Sequence, residues 1–249
     1  MAEADFDRMA EVYDRGRDVP LADMADWRRA LAPWLDDPEA GPMIDVGSGT
    51  GMWSIAFVEW FGRSVAGMDP SSGRLRVAAR KRPSDRIRYV SAVAEAVPFH
   101  TETFGAAWLS TVVHHFTDLD RAAREIRRVV RPDAPVLIRS AFPGRSDDLV
   151  LFRFFPAALR VVARFPTLER TIEAFRGAGF ALEDVRSVPQ RFALDFRDYL
   201  ERARARADTT LQRIGDDEFE RGIREIERLA AEPGVPQAVV ESLDLVVLR

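Results

Sequence analysis

The rhythm of apolar and polar positions changes several times along the chain. Helical spacing comes first, over roughly residues 4–17 and again over 21–34, where Leu21, Met24, Trp27, Leu31 and Trp34 recur on one face. From residue 42 short apolar runs alternate with amphipathic stretches. Strands are predicted near 42–46, 64–68, 87–91, 104–110 and 134–140, and helices near 51–61, 71–82, 118–130 and 168–178. That alternation is the pattern of an α/β protein, a parallel sheet covered on both faces. Residues 148–165, "DLVLFRFFPAALRVVARF", are dense in aromatic and aliphatic side chains and read either as a helix packed on the core or as a lid over an apolar pocket. Runs at 181–192 and 240–249 read as two further strands, placed antiparallel at one sheet edge, and 195–233 reads as charged, solvated surface helices.

Composition narrows the class. A chain of 249 residues with 47% apolar and 31% charged positions is that of an ordinary globular protein, and we expect one domain. Within it, 1–36 forms an N-terminal helical cap, 37–142 the core, 143–166 the lid and 167–249 the last strands with their insertion. A formal net charge of -4 supplies no global attraction for phosphate backbones, so nucleic acid is not an expected partner. The absence of cysteine removes disulfides, thiolate metal sites and cysteine nucleophiles together. The start lacks the apolar core of a signal peptide and no run of about 18 apolar residues occurs, so a cytoplasmic address without membrane contact is expected. Oligomeric state is not legible.

Residues 43–53, "MIDVGSGTGMW", carry three glycines at alternate positions between a strand and a helix. Such a turn aims backbone N–H groups and the positive end of a helix at a ligand. The dinucleotide spacing G-x-G-x-x-G would need a third glycine where Met52 stands. The loop is D-x-G-x-G-x-G instead, and Asp45 at the strand end has a reason to exist if the ligand carries an ammonium group held directly or through water. Asp69, closing the next strand eighteen residues past Gly51, stands where an acid accepts hydrogen bonds from ribose hydroxyls.

These stretches, with "GMDPS" at 67–71, "AEAVPF" at 94–99 and "STVVHHFTD" followed by "EIRRVVRPDAPVLI" at 110–138, resemble the class I S-adenosylmethionine-dependent methyltransferases. The likeness is to the small-molecule branch similar to ubiquinone and menaquinone biosynthesis enzymes. It implies a Rossmann-like doubly wound sheet of strand order 3-2-1-4-5-7-6 with strand 7 antiparallel. It implies S-adenosyl-L-methionine as cofactor and S-adenosyl-L-homocysteine as its product. By the same resemblance Gly47, Ser48, Gly49, Thr50 and Gly51 pass under the methionine part and Asp69 with Pro70 holds the ribose. Ala94 and Glu95 then border the adenine, and Ser110 faces the cofactor from strand 4. Tyr13 and Arg17 of "YDRGR" are candidates to cover it, or else belong to a surface helix.

Three positions depart from the family pattern. Val93 stands where an acid usually precedes the "AE" pair, Gly105 replaces the acid of a common "FD" at strand 4, and "RPDA" replaces "RPGG". The first removes one hydrogen bond, worth roughly 0.5–1.5 kcal/mol.

Two of the three histidines, His114 and His115, fall on the loop after strand 4, where an open sheet places ligands. Either is a candidate base for an acceptor with a proton to lose; alternatively one packs against the cofactor while the other bonds a backbone carbonyl. His100 falls on a surface turn, Asp118 reads as a helix N-cap, and no metal-ligand spacing is evident. The expected function is methyl transfer to an oxygen, nitrogen or carbon of a small, rather apolar metabolite. The alternatives are a cofactor-binding protein without transfer activity and a methyltransferase of RNA or protein.

Overall fold

The computed structural model describes residues 19–81, 84–146, 149–232 and 237–249. Seven strands form one sheet in the order β3-β2-β1-β4-β5-β7-β6, as the resemblance implies. They are β1 (Met43–Val46), β2 (Val65–Asp69), β3 (Ile87–Ser91), β4 (Ala106–Ser110), β5 (Val136–Ser140), β6 (Leu182–Ala193) and β7 (Val239–Leu248). The first five run parallel, and β7 lies antiparallel to both β5 and β6.

Side-chain alternation divides the core into two layers. Met43, Trp108, Leu137, Leu245 and Val247 face one way, and Ile44, Leu109, Ile138, Val246 and Leu248 the other. Because both faces are covered, β4, β5 and the inner part of β7 read as continuous apolar runs. The first layer is closed by α1 (Ala25–Leu35) and α2 (Met52–Phe61). The second is closed by α4 (Leu119–Val129) and α7 (Leu168–Gly177), while α3 (Ser72–Lys81) packs on β2 and β3. Trp27 of α1, Trp53 of α2 and Trp108 of β4 stack edge to face or tilted, with centroids 4.6–6.1 Å apart. Such pairs add about 0.5–1.5 kcal/mol each beyond the area they bury.

Asp118 is the N-cap of α4, accepting the Arg121 N–H at 2.9 Å, and His100 lies on an exposed turn, both as expected. The 148–165 stretch is not one helix. Pro156 follows α5 (Val150–Phe154) and precedes α6 (Ala158–Val162), because proline has no N–H to donate and its ring excludes a continuous helix. The insertion holds α8 (Phe196–Arg204) and α9 (Asp216–Ala231). Its helices are not merely a solvated surface: Tyr199, Leu200, Phe219, Ile223 and Ile226 are buried, and the alternating charges occupy only the outer faces.

The chain steps from β1 outward to β2 and β3 and then returns to β4. This leaves a crevice at the carboxyl ends of β1 and β4, the switch point where open sheets bind ligands. The β6–β7 hairpin outruns β5: Ser140 at the end of β5 is level with Asp244, while β7 begins at Val239. Its projecting end therefore stands beside the crevice as a wall.

Candidate active site

A cavity of about 1860 Å³ opens at this crevice. Single-ligand pockets usually hold about 300–1,000 Å³, so there is room for two ligands side by side. Gly47, Ser48, Gly49, Thr50, Asp69, Pro70, Ala94, Glu95, Ser110, His114 and His115 all border it. Tyr13 and Arg17 lie outside the described residues.

The three loop glycines answer to three neighbours. All have positive φ, at 75°, 54° and 83°. A Cβ at Gly51 would overlap the Tyr89 hydroxyl, and one at Gly47 would press on Val112. At Gly49 a Cβ would meet nothing within 4 Å, so this peptide alone opens on the cavity with space before it. Gly51 does not line the cavity, and its requirement is for Tyr89 rather than for a ligand.

Asp69 ties this loop to β2. Its carboxylate accepts the N–H of Gly49 at 3.0 Å and that of Ser71 at 2.9 Å, and it borders the cavity. Asp45 is placed differently from the expectation. It is buried under the loop at 1% exposure, does not line the cavity, and accepts the Ser54 hydroxyl at 2.6 Å. Burial, with the Asp69 carboxylate adding to it, raises Asp45 to about 7, against the lowering effect of Ser54. An acid so enclosed shapes the loop from beneath and makes no direct contact with an ammonium group in the cavity.

Beyond Ser110 the backbone turns through Thr111, a β-branched residue at φ 51°. Such a conformation costs of order 1–3 kcal/mol and persists only where its surroundings fix it; here the Thr111 N–H donates to the Arg139 carbonyl at 2.7 Å. The turn delivers His114 and His115. The His114 ring stacks on Phe165, from the segment after α6, with centroids 4.1 Å apart and planes 11° from parallel. His115 is pushed down to about 4, by enclosure within the cavity and then by the Arg74 and Arg213 cations, with Asp208 opposing.

Several bordering residues carry no motif. Arg139 at the end of β5 is 7% exposed, donates to Ser110 Oγ at 3.2 Å and Gln190 Oε1 at 2.8 Å, and has its guanidinium 5.1 and 5.5 Å from the rings of Trp27 and Trp53. Residues 207–215, between α8 and α9, form a wall of the cavity, although this stretch reads in sequence as charged surface helix. The described N-terminal residues do the opposite: α1 packs on the sheet and no residue of 21–35 reaches the cavity.

The departures from the family pattern also find their places. Val93 is 46% exposed at the cavity edge. Gly105 precedes β4 at the amino end of the strands, far from the site, where any Cβ would collide with the Ala40 carbonyl. In "RPDA", Asp133 takes the left-handed conformation at φ 60°, which aspartate tolerates better than most residues.

The residues present fit a nucleoside cofactor. The open peptide at Gly49, the adjoining Asp69 acceptor and the cavity volume together supply a backbone cradle, a hydroxyl partner and space for a second molecule. Comparison with known proteins agrees. Residues 44–138 match a family model described as a methyltransferase domain. Demethylmenaquinone methyltransferase of Streptomyces griseus is 33% identical over 168 residues, covering 65% of this chain and 72% of that protein. The Streptomyces avermitilis enzyme of the same name is 33% identical over 134 residues, 53% of this chain, and the match spans 57% of that relative's length. Among solved structures, a candidate methyltransferase from an antibiotic biosynthesis pathway of Anabaena variabilis superposes with a TM-score of 0.72 at 18% identity, over 90% of this chain and 97% of that one. The chain belongs to the class I S-adenosylmethionine-dependent methyltransferases and is similar to the quinone-biosynthesis members of that family.

Proposed function

We propose that the protein transfers a methyl group from S-adenosylmethionine to an oxygen, nitrogen or carbon of a small, largely apolar molecule. The observation that carries this is a single cavity with the glycine loop and Asp69 at one end and apolar lid residues at the other, large enough for both reactants. When bound, the cofactor supplies an electrophilic methyl carbon on a sulfonium, with a neutral thioether as leaving group.

The chain's own contribution is placement. Gly49 and Asp69 hold the nucleoside end, Ala94 and Glu95 border the base, and Glu95 also fixes the facing loop by accepting the N–H groups of Thr117 and Asp118 at 2.6 and 3.1 Å. Phe152, Phe165 and Leu211 exclude water from the acceptor half. Holding two reactants in line is worth up to about 7–11 kcal/mol of the barrier, which leaves little for a base to supply.

The histidines take unequal roles in this reading. His114 is committed to packing against Phe165. His115, neutral across the physiological range, accepts a hydrogen bond from the acceptor and orients it; a group titrating near 4 is too weak a base to ionise a phenol or an alcohol alone. The whole chain acts as one cytoplasmic unit, with 37–142 binding the cofactor, and 143–166 and the 195–233 insertion shaping the acceptor chamber. A net charge of -4 favours a small acceptor over nucleic acid.

The test is transfer of isotopically labelled methyl from S-adenosylmethionine to a panel of quinols, phenols, amines and apolar acids, read by mass spectrometry. A labelled product that requires the protein supports the reading. Tight cofactor binding with no transfer to any class would favour a cofactor-binding protein that does not methylate.

A further inference from the structure

The arginines around the acceptor half of the cavity are not all paired. Arg160 pairs with Glu218 at 3.0 Å and Arg202 with Asp198 at 3.1 Å, so these two cations are locally neutralised. Arg164 and Arg213 also border the cavity, both are exposed, and neither forms an ion pair with any described residue. They come from different walls, Arg164 from the segment after α6 and Arg213 from the turn before α9.

Arg164 precedes Phe165, whose ring lies on His114, and Arg213 acts on His115 together with Arg74. Asp208, which also acts on His115 and accepts the Thr210 N–H at 2.7 Å, and Glu241 on the β7 wall border the same cavity. Two guanidinium groups without an ion pair to a described residue thus stand at the rim of a chamber walled by Leu151, Phe152, Val161 and Leu211, on a protein whose net charge is -4. An exposed guanidinium keeps its hydration until a carboxylate or phosphate offers paired acceptor oxygens. A neutral quinol or a cationic amine would leave this rim unused or oppose it.

We propose that the acceptor is an acidic amphiphile, with an apolar body seated in the chamber and an anionic carboxylate or phosphate group held at the rim by Arg164 and Arg213. This rests on the methyltransferase reading for what the chamber serves, though not for what it binds.

The experiment is calorimetric titration of the protein, with and without saturating S-adenosylhomocysteine, using four ligands of equal chain length below their micellar concentrations. These are decanoate, decyl phosphate, decanol and decyltrimethylammonium. We expect at least one anion to bind tenfold or more tighter than decanol, with an affinity that falls as salt is raised. Arg164→Gln with Arg213→Gln should lower that anion's affinity about tenfold and leave decanol and S-adenosylhomocysteine unchanged, which also shows that the variant is folded. The stronger of the two anions identifies the headgroup. Equal binding of decanol or the ammonium ligand, or an unchanged anion affinity in the double variant, overturns the proposal. If S-adenosylhomocysteine fails to bind while the anions do, the methyltransferase reading falls and this one stands.

Discussion

Ser54 Oγ donates to Asp45 Oδ2 at 2.6 Å, and both groups lie beneath the glycine loop rather than on the cavity. The acid that opens the loop motif is thus an internal support, and its energetics follow from its burial. With a folded value raised to about 7 against an unfolded value of about 3.9, Asp45 is protonated in both states below pH 4. As pH rises from 4 to 7 the unfolded chain loses this proton while the folded chain keeps it, so stability falls, by at most about 4 kcal/mol, and then levels off. Asp45→Asn, which keeps a polar partner for Ser54 but cannot ionise, should gain stability relative to the parent between pH 5 and pH 8. Urea midpoints of both proteins at each pH measure the difference; parallel pH curves would contradict the assignment.

Gly51 and Tyr89 form a second testable pair. A side chain at Gly51 meets the tyrosine hydroxyl and also demands φ 83° of an L-residue, so Gly51→Ala should cost about 2–4 kcal/mol. Adding Tyr89→Phe removes the colliding oxygen and should recover part of that loss, whereas Tyr89→Phe alone should not stabilise. Gly49→Ala has only the backbone cost, of roughly 1–2 kcal/mol, but should weaken cofactor binding more than Gly51→Ala does. Thermal melts and cofactor titrations of the variants separate the two effects.

The stack of His114 on Phe165 joins the floor of the site to its lid. Phe165→Ala should raise the KM of an acceptor about tenfold, with a smaller change in S-adenosylhomocysteine affinity, because the ring lies on the acceptor side. A loss confined to cofactor binding would place the stack at the wrong end of the cavity.

Placing at the start of strand 4 the acid that the family resemblance leads one to expect should harm this chain. Gly105→Asp would drive its Cβ into the Ala40 carbonyl, at the opposite end of the sheet from the site. A loss of more than about 3 kcal/mol in stability, with no gain in cofactor affinity in whatever protein remains folded, is expected.

The sheet was legible because its strands are apolar on both faces and its helices have one apolar stripe, so β1 to β5 and the last strand pair could be placed from patterning, while the strand order followed from the family resemblance alone. Gly47 to Thr50, Asp69, Ala94 and Glu95 all border the cavity; the glycines and Asp69 stood out in the sequence because a strand, a glycine turn and a helix leave small residues and an acid at fixed spacing, whereas Ala94 and Glu95 followed from the family resemblance alone. The burial of Asp45 on Ser54 was not legible, since a strand-end carboxylate looks the same in sequence whether it faces a ligand or a buried serine. Arg139, Arg164, Arg213 and the wall at 207–215 carried no local signal. They come from β5, the lid and the insertion, and only the tertiary fold brings them to one cavity.

The most direct test of this account is calorimetric titration of the purified protein with S-adenosylmethionine and S-adenosylhomocysteine, alongside Asp69→Ala. Loss of the carboxylate frees the Gly49 and Ser71 N–H groups and removes the proposed ribose partner. Hydrogen bonds to a charged group are worth about 1.5–3 kcal/mol, so affinity should fall about 10- to 100-fold while the variant remains folded. Micromolar binding by the parent, lost in this manner, is the predicted result. A folded parent that binds neither compound, or a variant that binds as well as the parent, would contradict the assignment of this cavity.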